Sequence, residues 1–134
     1  MGQPAARQGD QVTGTDMHIV AVPAPPGPPV PTPLPHPFAG PLLQSLSTDV
    51  LVDGLPAATI GSVAMNQPPH FPTPPGTAFV MPPTNQGTVL MGSTTVFIDG
   101  KPAARTGDPV LNCNDPVPAP TGTIVGGSTT VMIG

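Results

Sequence analysis

Apolar residues recur with a spacing of two in three places along the chain: Val50 and Val52, Val96 and Ile98, and Val131 and Ile133. That spacing puts each pair on one face of a short β-strand. Each pair follows a Ser-Thr step and leads into a glycine. Upstream of each lies a second apolar run behind a glycine: Gly40-Pro41-Leu42-Leu43, Gly87-Thr88-Val89-Leu90-Met91 and Gly122-Thr123-Ile124-Val125. Gly92-Ser93, between Thr88–Met91 and Thr94–Ile98, predicts a type II′ hairpin turn. Asp53-Gly54 and Asp99-Gly100 predict type I′ turns. Each unit thus reads as a short β-meander with three equivalent apolar pairs around an axis. The expected core is narrow and filled by Val50/Val52, Val96/Ile98 and Val131/Ile133.

The pattern is a repeat. STDVLVDGLPAATIGS (47–62) and STTVFIDGKPAARTGD (93–108) agree at 9 of 16 positions. A third copy starts at Ser128-Thr129-Thr130-Val131-Met132-Ile133 and stops at Gly134, while GQPAARQGD stands at 2–10. Joined, these two pieces match residues 93–108 at 12 of 16 positions. A repeat split between the two ends predicts a ring whose first and last residues meet. An open stack would instead need capping units. The repeats are 40–62, 87–108, and 122–134 joined with 2–10, in a single domain spanning 1–134.

Between the repeats lie segments 11–39, 63–86 and 109–121. They hold 20 of the 24 prolines, in stretches such as PAPPGPPVPTPLPHP. Such stretches favour extended polyproline II. The expectation is three long Pro-rich loops, either flexible linkers or stiff loops folded over one end of the ring. So much Pro and Gly excludes a long helix, and no apolar stretch reaches the roughly 20 residues of a membrane helix. Three basic residues against seven acidic ones argue against nucleic-acid binding. The N-terminus shows no signal-peptide pattern.

All three histidines, His18, His36 and His70, and the single cysteine, Cys113, fall in the inter-repeat segments. Each segment supplies at least one. Three imidazoles and a thiolate suit a closed tetrahedral zinc site, although their spacing fits no compact zinc motif. Four protein ligands leave no open position for catalysis, and no Glu stands near as a base. The competing reading is packed or surface histidines with an inert buried cysteine. Asp16, two residues before His18, suits either a supporting contact or an ordinary turn. Arg7/Asp10 and Arg105/Asp108 recur at one spacing, with Thr59 and Ser62 in their place in the first repeat, and read as structural ion pairs.

Pro4-Ala5-Ala6-Arg7 and Pro102-Ala103-Ala104-Arg105, each within PAARxGD, and the degenerate Pro56-Ala57-Ala58-Thr59 resemble the PAAR-repeat family, as does the GSTTV strand before them. Members of that family tip the spikes of contractile injection machines. The resemblance implies an all-β, cone-shaped prism of three pseudo-three-fold repeats of short hairpins. It implies no enzymatic activity. It implies one structural zinc held by His18, His36, His70 and Cys113, carried over by residue type because the family's short ligand loops are replaced here by long Pro-rich ones. The implied partner is a homotrimeric β-helical spike (VgrG-like) at the base of a monomeric tip. Transient contact with a target membrane would follow. The protein would be made in the cytoplasm and carried outward in a type VI, extracellular or phage-tail-like particle. Two other uses are a cargo-recruiting adaptor working through the Pro-rich loops, and a metal-dependent toxin carried on the spike.

Overall fold

The computed structural model describes residues 2–134. Its strands are β1 (Gln3–Pro4), β2 (Gln11–Val22), β3 (Val30–Gln44), β4 (Leu51–Val52), β5 (Leu55–Pro56), β6 (Val63–Met65), β7 (Ala78–Phe79), β8 (Gln86–Val89), β9 (Phe97–Ile98), β10 (Lys101–Pro102), β11 (Pro109–Asn112), β12 (Ala119–Ile124) and β13 (Met132–Ile133). The fold is all-β, with no helix among the described residues.

Three two-stranded hairpins form one end: β4–β5, β9–β10 and β13–β1. The last joins the chain ends, pairing Gln3 with Ile133 and Pro4 with Met132. The split repeat is therefore closed by hydrogen bonds rather than by a covalent turn. In the other two, Asp53-Gly54 and Asp99-Gly100 turn the chain with positive φ at both residues (52° and 81°, 54° and 77°), as a type I′ turn requires.

The Pro-Ala-Ala segments meet on the axis. Ala6 N–H donates to the Ala104 carbonyl at 3.0 Å, Ala104 N–H to Ala58 at 2.9 Å, and Ala58 N–H to Ala6 at 3.0 Å. This is a closed triangle in which each repeat donates to one neighbour and accepts from the other. The six alanines of these segments are at most 1 % exposed, so only a methyl group fits there. Below this ring, Val52, Ile98 and Ile133 pack against Ala5, Ala57 and Ala103. Above it, Leu42, Val89 and Ile124, then Val12, Ala64 and Val110, continue the core in threes.

Three expectations change. First, Val50 and Val131 are exposed and Val96 only half-buried. The cause is local: the hydroxyl oxygens of Ser47, Ser93 and Ser128 each accept two backbone N–H groups, two and three residues on. These turns delay the strands, and the strand alternation begins one residue later than the apolar spacing implies. Second, no hairpin spans Gly92-Ser93. β8 pairs with β6 and β11, while β9 pairs with β10. Ser93 is drawn into its turn instead, with its N–H on the Ala103 carbonyl at 2.8 Å.

Third, much of the three inter-repeat segments is strand, not loop. With the upstream runs they build a closed barrel of β2, β3, β6, β8, β11 and β12, sealed by β12–β2, with β7 added on the outside of β2. The proline-rich stretch 30–41 is strand because its prolines stand at every second position. Pro31, Pro33, Pro35 and Pro37 lie opposite Ala21, Ile19, Met17 and Thr15, while His36, Phe38, Gly40 and Leu42 point inward and are buried. Each intervening residue keeps the N–H that the ladder to β2 needs. Glycines let the small barrel close: a Cβ on Gly40 would strike the Met65 carbonyl, and one on Gly87 or Gly122 would strike the Asn112 amide.

Candidate metal centre

The period of two along β2 puts Asp16 and His18 on one face, both completely buried. Cys113 follows β11, and His70 sits in the connection from β6 to β7. Ligand atoms of Asp16, His18, His70 and Cys113 all lie within 4.8 Å of one another. All three inter-repeat segments converge here.

His70 Nε2 lies 3.1 Å from Asp16 Oδ2. Cys113 Sγ lies 3.4 Å from that oxygen and 3.7 Å from His18 Nε2. His18 Nε2 is 4.0 Å from Asp16 Oδ2. A tetrahedral ion with bonds of about 2.0–2.3 Å separates its ligands by about 3.3–3.8 Å. The donor set therefore already stands near the spacing a metal demands. Asp115 Oδ2 lies 3.3 Å from His18 Nδ1, on the far side of the ring. A carboxylate behind a ligating imidazole is the usual support of a metal-binding histidine.

Electrostatics argue the same way. Burial pushes the Asp16 carboxyl upward, but hydrogen bonds from His70 and from Thr121 Oγ1 (2.8 Å to Oδ1) outweigh it and hold the group below its usual value. A buried carboxylate is costly unless a cation or hydrogen bonds compensate it, and a bound metal ion would add to the hydrogen bonds already made here. The chain's only Lys and Arg residues, Arg7, Lys101 and Arg105, all lie in the repeats. Arg7 and Arg105 are engaged there with Asp10 and Asp108. Burial lowers the His18 pKa, against the pull of Asp115, and so favours the neutral imidazole that ligates. Burial and then Asp16 push the Cys113 thiol up to about 11. A bound divalent ion reverses that last effect, because coordination strips the thiol proton. The residues fit a metal ion.

His36 takes a different place. It stands directly across from Asp16 in the β2–β3 ladder, its ring centroid 5.3 Å from that of His18 and 5.7 Å from that of His70. Its Nδ1 lies 2.9 Å from the Leu34 carbonyl, and its Nε2 accepts the Thr73 N–H at 3.1 Å. Both nitrogens are occupied as hydrogen-bonding atoms. The structure thus gathers His18, His70 and Cys113, puts Asp16 in the fourth place, and sets His36 beside them, where it anchors residue 73. The signal for Asp16 was its spacing from His18 within a strand, which could be used only once residues 11–22 were known to be one.

The fold and the site define a three-fold β-prism whose inter-repeat segments carry a buried cluster able to hold a metal. The family model of the PAAR motif matches residues 81–134, which contain the literal PAAR tetrapeptide at 102–105 and the strand Met132–Ile133. This match supports a PAAR-repeat protein. No curated protein matches it.

Proposed function

We propose that this protein is the tip of a contractile injection spike, seated on a homotrimeric β-helical (VgrG-like) shaft and pinned at its opposite end by one structural zinc ion. The observation that carries this reading is the closure of three repeats into a ring by β13–β1. Such a monomer can cover a three-fold partner. The base supports it. Leu51, Phe97 and Met132 occupy equivalent positions in the three hairpins and are 60 %, 57 % and 57 % exposed. Their inward neighbours Val52, Ile98 and Ile133 are buried, so the hairpins present one apolar face to the core and another to the outside. Three exposed apolar groups related by three-fold symmetry match the end of a trimer better than any asymmetric partner.

Zinc suits the donor set of one thiolate, two imidazoles and one carboxylate. Asp16, His18, His70 and Cys113 would hold it, with Asp115 orienting His18. The ion would tie together segments from all three inter-repeat stretches, and structural zinc supplies on the order of 10–16 kcal/mol of apparent binding energy. The role is mechanical: a rigid narrow point concentrates force at a target membrane. No helix among the described residues is long and apolar enough to cross a membrane.

The test is metal content by plasma mass spectrometry on the wild type and Cys113→Ala, together with co-elution on a trimeric spike fragment. One zinc per chain, lost in the variant, and a complex of one tip per trimer are expected. A protein that binds the spike through its histidine-bearing end would overturn the orientation. One that takes up no metal would overturn the pinned point.

A further inference from the structure

The two long strands treat their outer edges differently. On β2, the backbone groups that face away from β3 are covered. Met17 N–H donates to Asn114 Oδ1 at 2.7 Å, and Ile19 N–H donates to Asp115 Oδ2 at 3.0 Å. The Met17, Ile19 and Ala21 carbonyls accept from the N–H groups of Asp115, Val80 and Thr77 at 2.8–2.9 Å. β3 is covered less fully: Thr73 Oγ1 and Gln67 N–H reach its outward carbonyls at Pro35 and Ala39, while those of Pro31 and Pro33 have no such partner among the described residues. Its second edge pairs with β6 only at Leu42 and Gln44, and Val30, Pro31, Pro33 and Pro35 are exposed. An open strand edge ordinarily invites another strand.

Register shows what this edge offers. Ala21, Ile19 and Met17 lie opposite Pro31, Pro33 and Pro35. Directly opposed residues in an antiparallel pair turn their backbone groups the same way, either toward each other or both outward. Because Met17 and Ile19 turn outward, Pro35 and Pro33 do too, and Pro31 and Pro37 follow by alternation. Every outward-facing backbone nitrogen from 31 to 37 therefore belongs to proline and carries no hydrogen. The next outward donor, Ala39 N–H, is taken by Asn66 Oδ1 at 2.9 Å. Carbonyls remain, and Thr73 Oγ1 donates to that of Pro35 at 3.1 Å. An added strand exchanges donors and acceptors with its neighbour, and this edge has no donors to exchange.

We infer that the alternate prolines of β3 guard the edge, closing it to strand addition by a second copy of this chain. The guard stands at the end of the molecule that bears the histidine–cysteine cluster, and it works whether or not a metal is bound. It also gives the proline run a reason that polyproline conformation does not: prolines at every second residue disarm one edge and leave the other able to pair.

The test is the full chain carrying Pro31→Thr, Pro33→Thr and Pro35→Thr, with Pro28→Thr/Pro29→Thr outside β3 as control. Sedimentation is followed against concentration, and hydrogen exchange is read at the three new amides. The triple variant should keep the native circular dichroism. It should gain concentration-dependent association that the control lacks, with amides 31, 33 and 35 protected in the associated form. A folded triple variant that sediments like the native protein, with those amides exchanging freely, would overturn the inference. Should the triple variant fail to fold, Pro33→Thr alone carries the same two readouts at the middle of the edge and decides in the same way.

Discussion

Asp115 Oδ2 stands 3.3 Å behind Nδ1 of His18, and the Nε2 of that ring faces Cys113 Sγ at 3.7 Å. The carboxylate therefore faces one ring nitrogen and the cluster faces the other. Asp115→Asn keeps the size of the side chain and removes its charge. Loss of such a supporting partner typically costs 10–100-fold in metal affinity. A drop in that range is expected in a competition titration with a zinc chelator, with the fold retained.

His36 and Asp16 face each other across the hairpin, and substitution separates their roles. His36→Gln can still donate to Leu34 and accept from Thr73, so zinc stoichiometry should stay at that of the wild type. Asp16→Asn removes the buried charge and should bind zinc at least about tenfold more weakly, by the same reasoning on ligand sets. Metal analysis after dialysis against a weak chelator checks both. The opposite ranking would make His36 the ligand and Asp16 its support.

The alanine triangle sets a strict size limit on the axis. Ala58→Leu adds three heavy atoms where residues from all three repeats meet and nothing is exposed. Overpacking of this kind costs about 1–3 kcal/mol. The expected result is a lower urea midpoint with an unchanged slope. Since Ala6 and Ala104 are equivalent, the same substitution there should cost a similar amount.

At the base the three-fold pattern is broken by charge. In the third repeat, Thr130 and Ser128 donate to the Asp53 carboxylate of the first. In the first repeat, Asp49 stands where the others have Thr95 and Thr130, and its neighbour is Asp99. Asp99 holds the Asp49 carboxyl above the usual carboxylate value. A carboxyl with a raised folded pKa contributes stability below its unfolded value, near 3.8, and loses it as pH climbs through the folded value. Asp49→Thr should therefore raise Tm at pH 7, and the gain should shrink towards pH 3. Thermal scans at the two pH values test this.

Phe97 is the largest of the three apolar groups ringing the base, and it is 57 % exposed. Phe97→Asp should leave Tm nearly unchanged, since surface substitutions away from packed features usually stay within about 0.5 kcal/mol. It should abolish co-elution with the trimeric spike fragment. Retained binding would move the docking face elsewhere.

The hairpins with Asp-Gly turns, the three-fold repetition and the meeting of the two ends were legible in the residues themselves. Those features rest on local chemistry: a type I′ turn needs positive φ, and a split repeat can be completed only by bringing its halves together. The His and Cys residues were legible as a set by type, and their convergence follows from three segments leaving one ring. Three things depended on the tertiary structure. The proline run at 30–41 became a strand because β2 offers a partner in one register, with every proline on the side that needs no donor. Asp16 entered the cluster because that same register puts it beside His18, Cys113 and His70. Val50 and Val131 stayed outside the core because serine turns shift where the strands begin. Repetition and turn chemistry act between near neighbours and can be read along the chain. Register, edge exposure and the choice of a fourth ligand arise from contacts between distant residues, and only the folded barrel decides them.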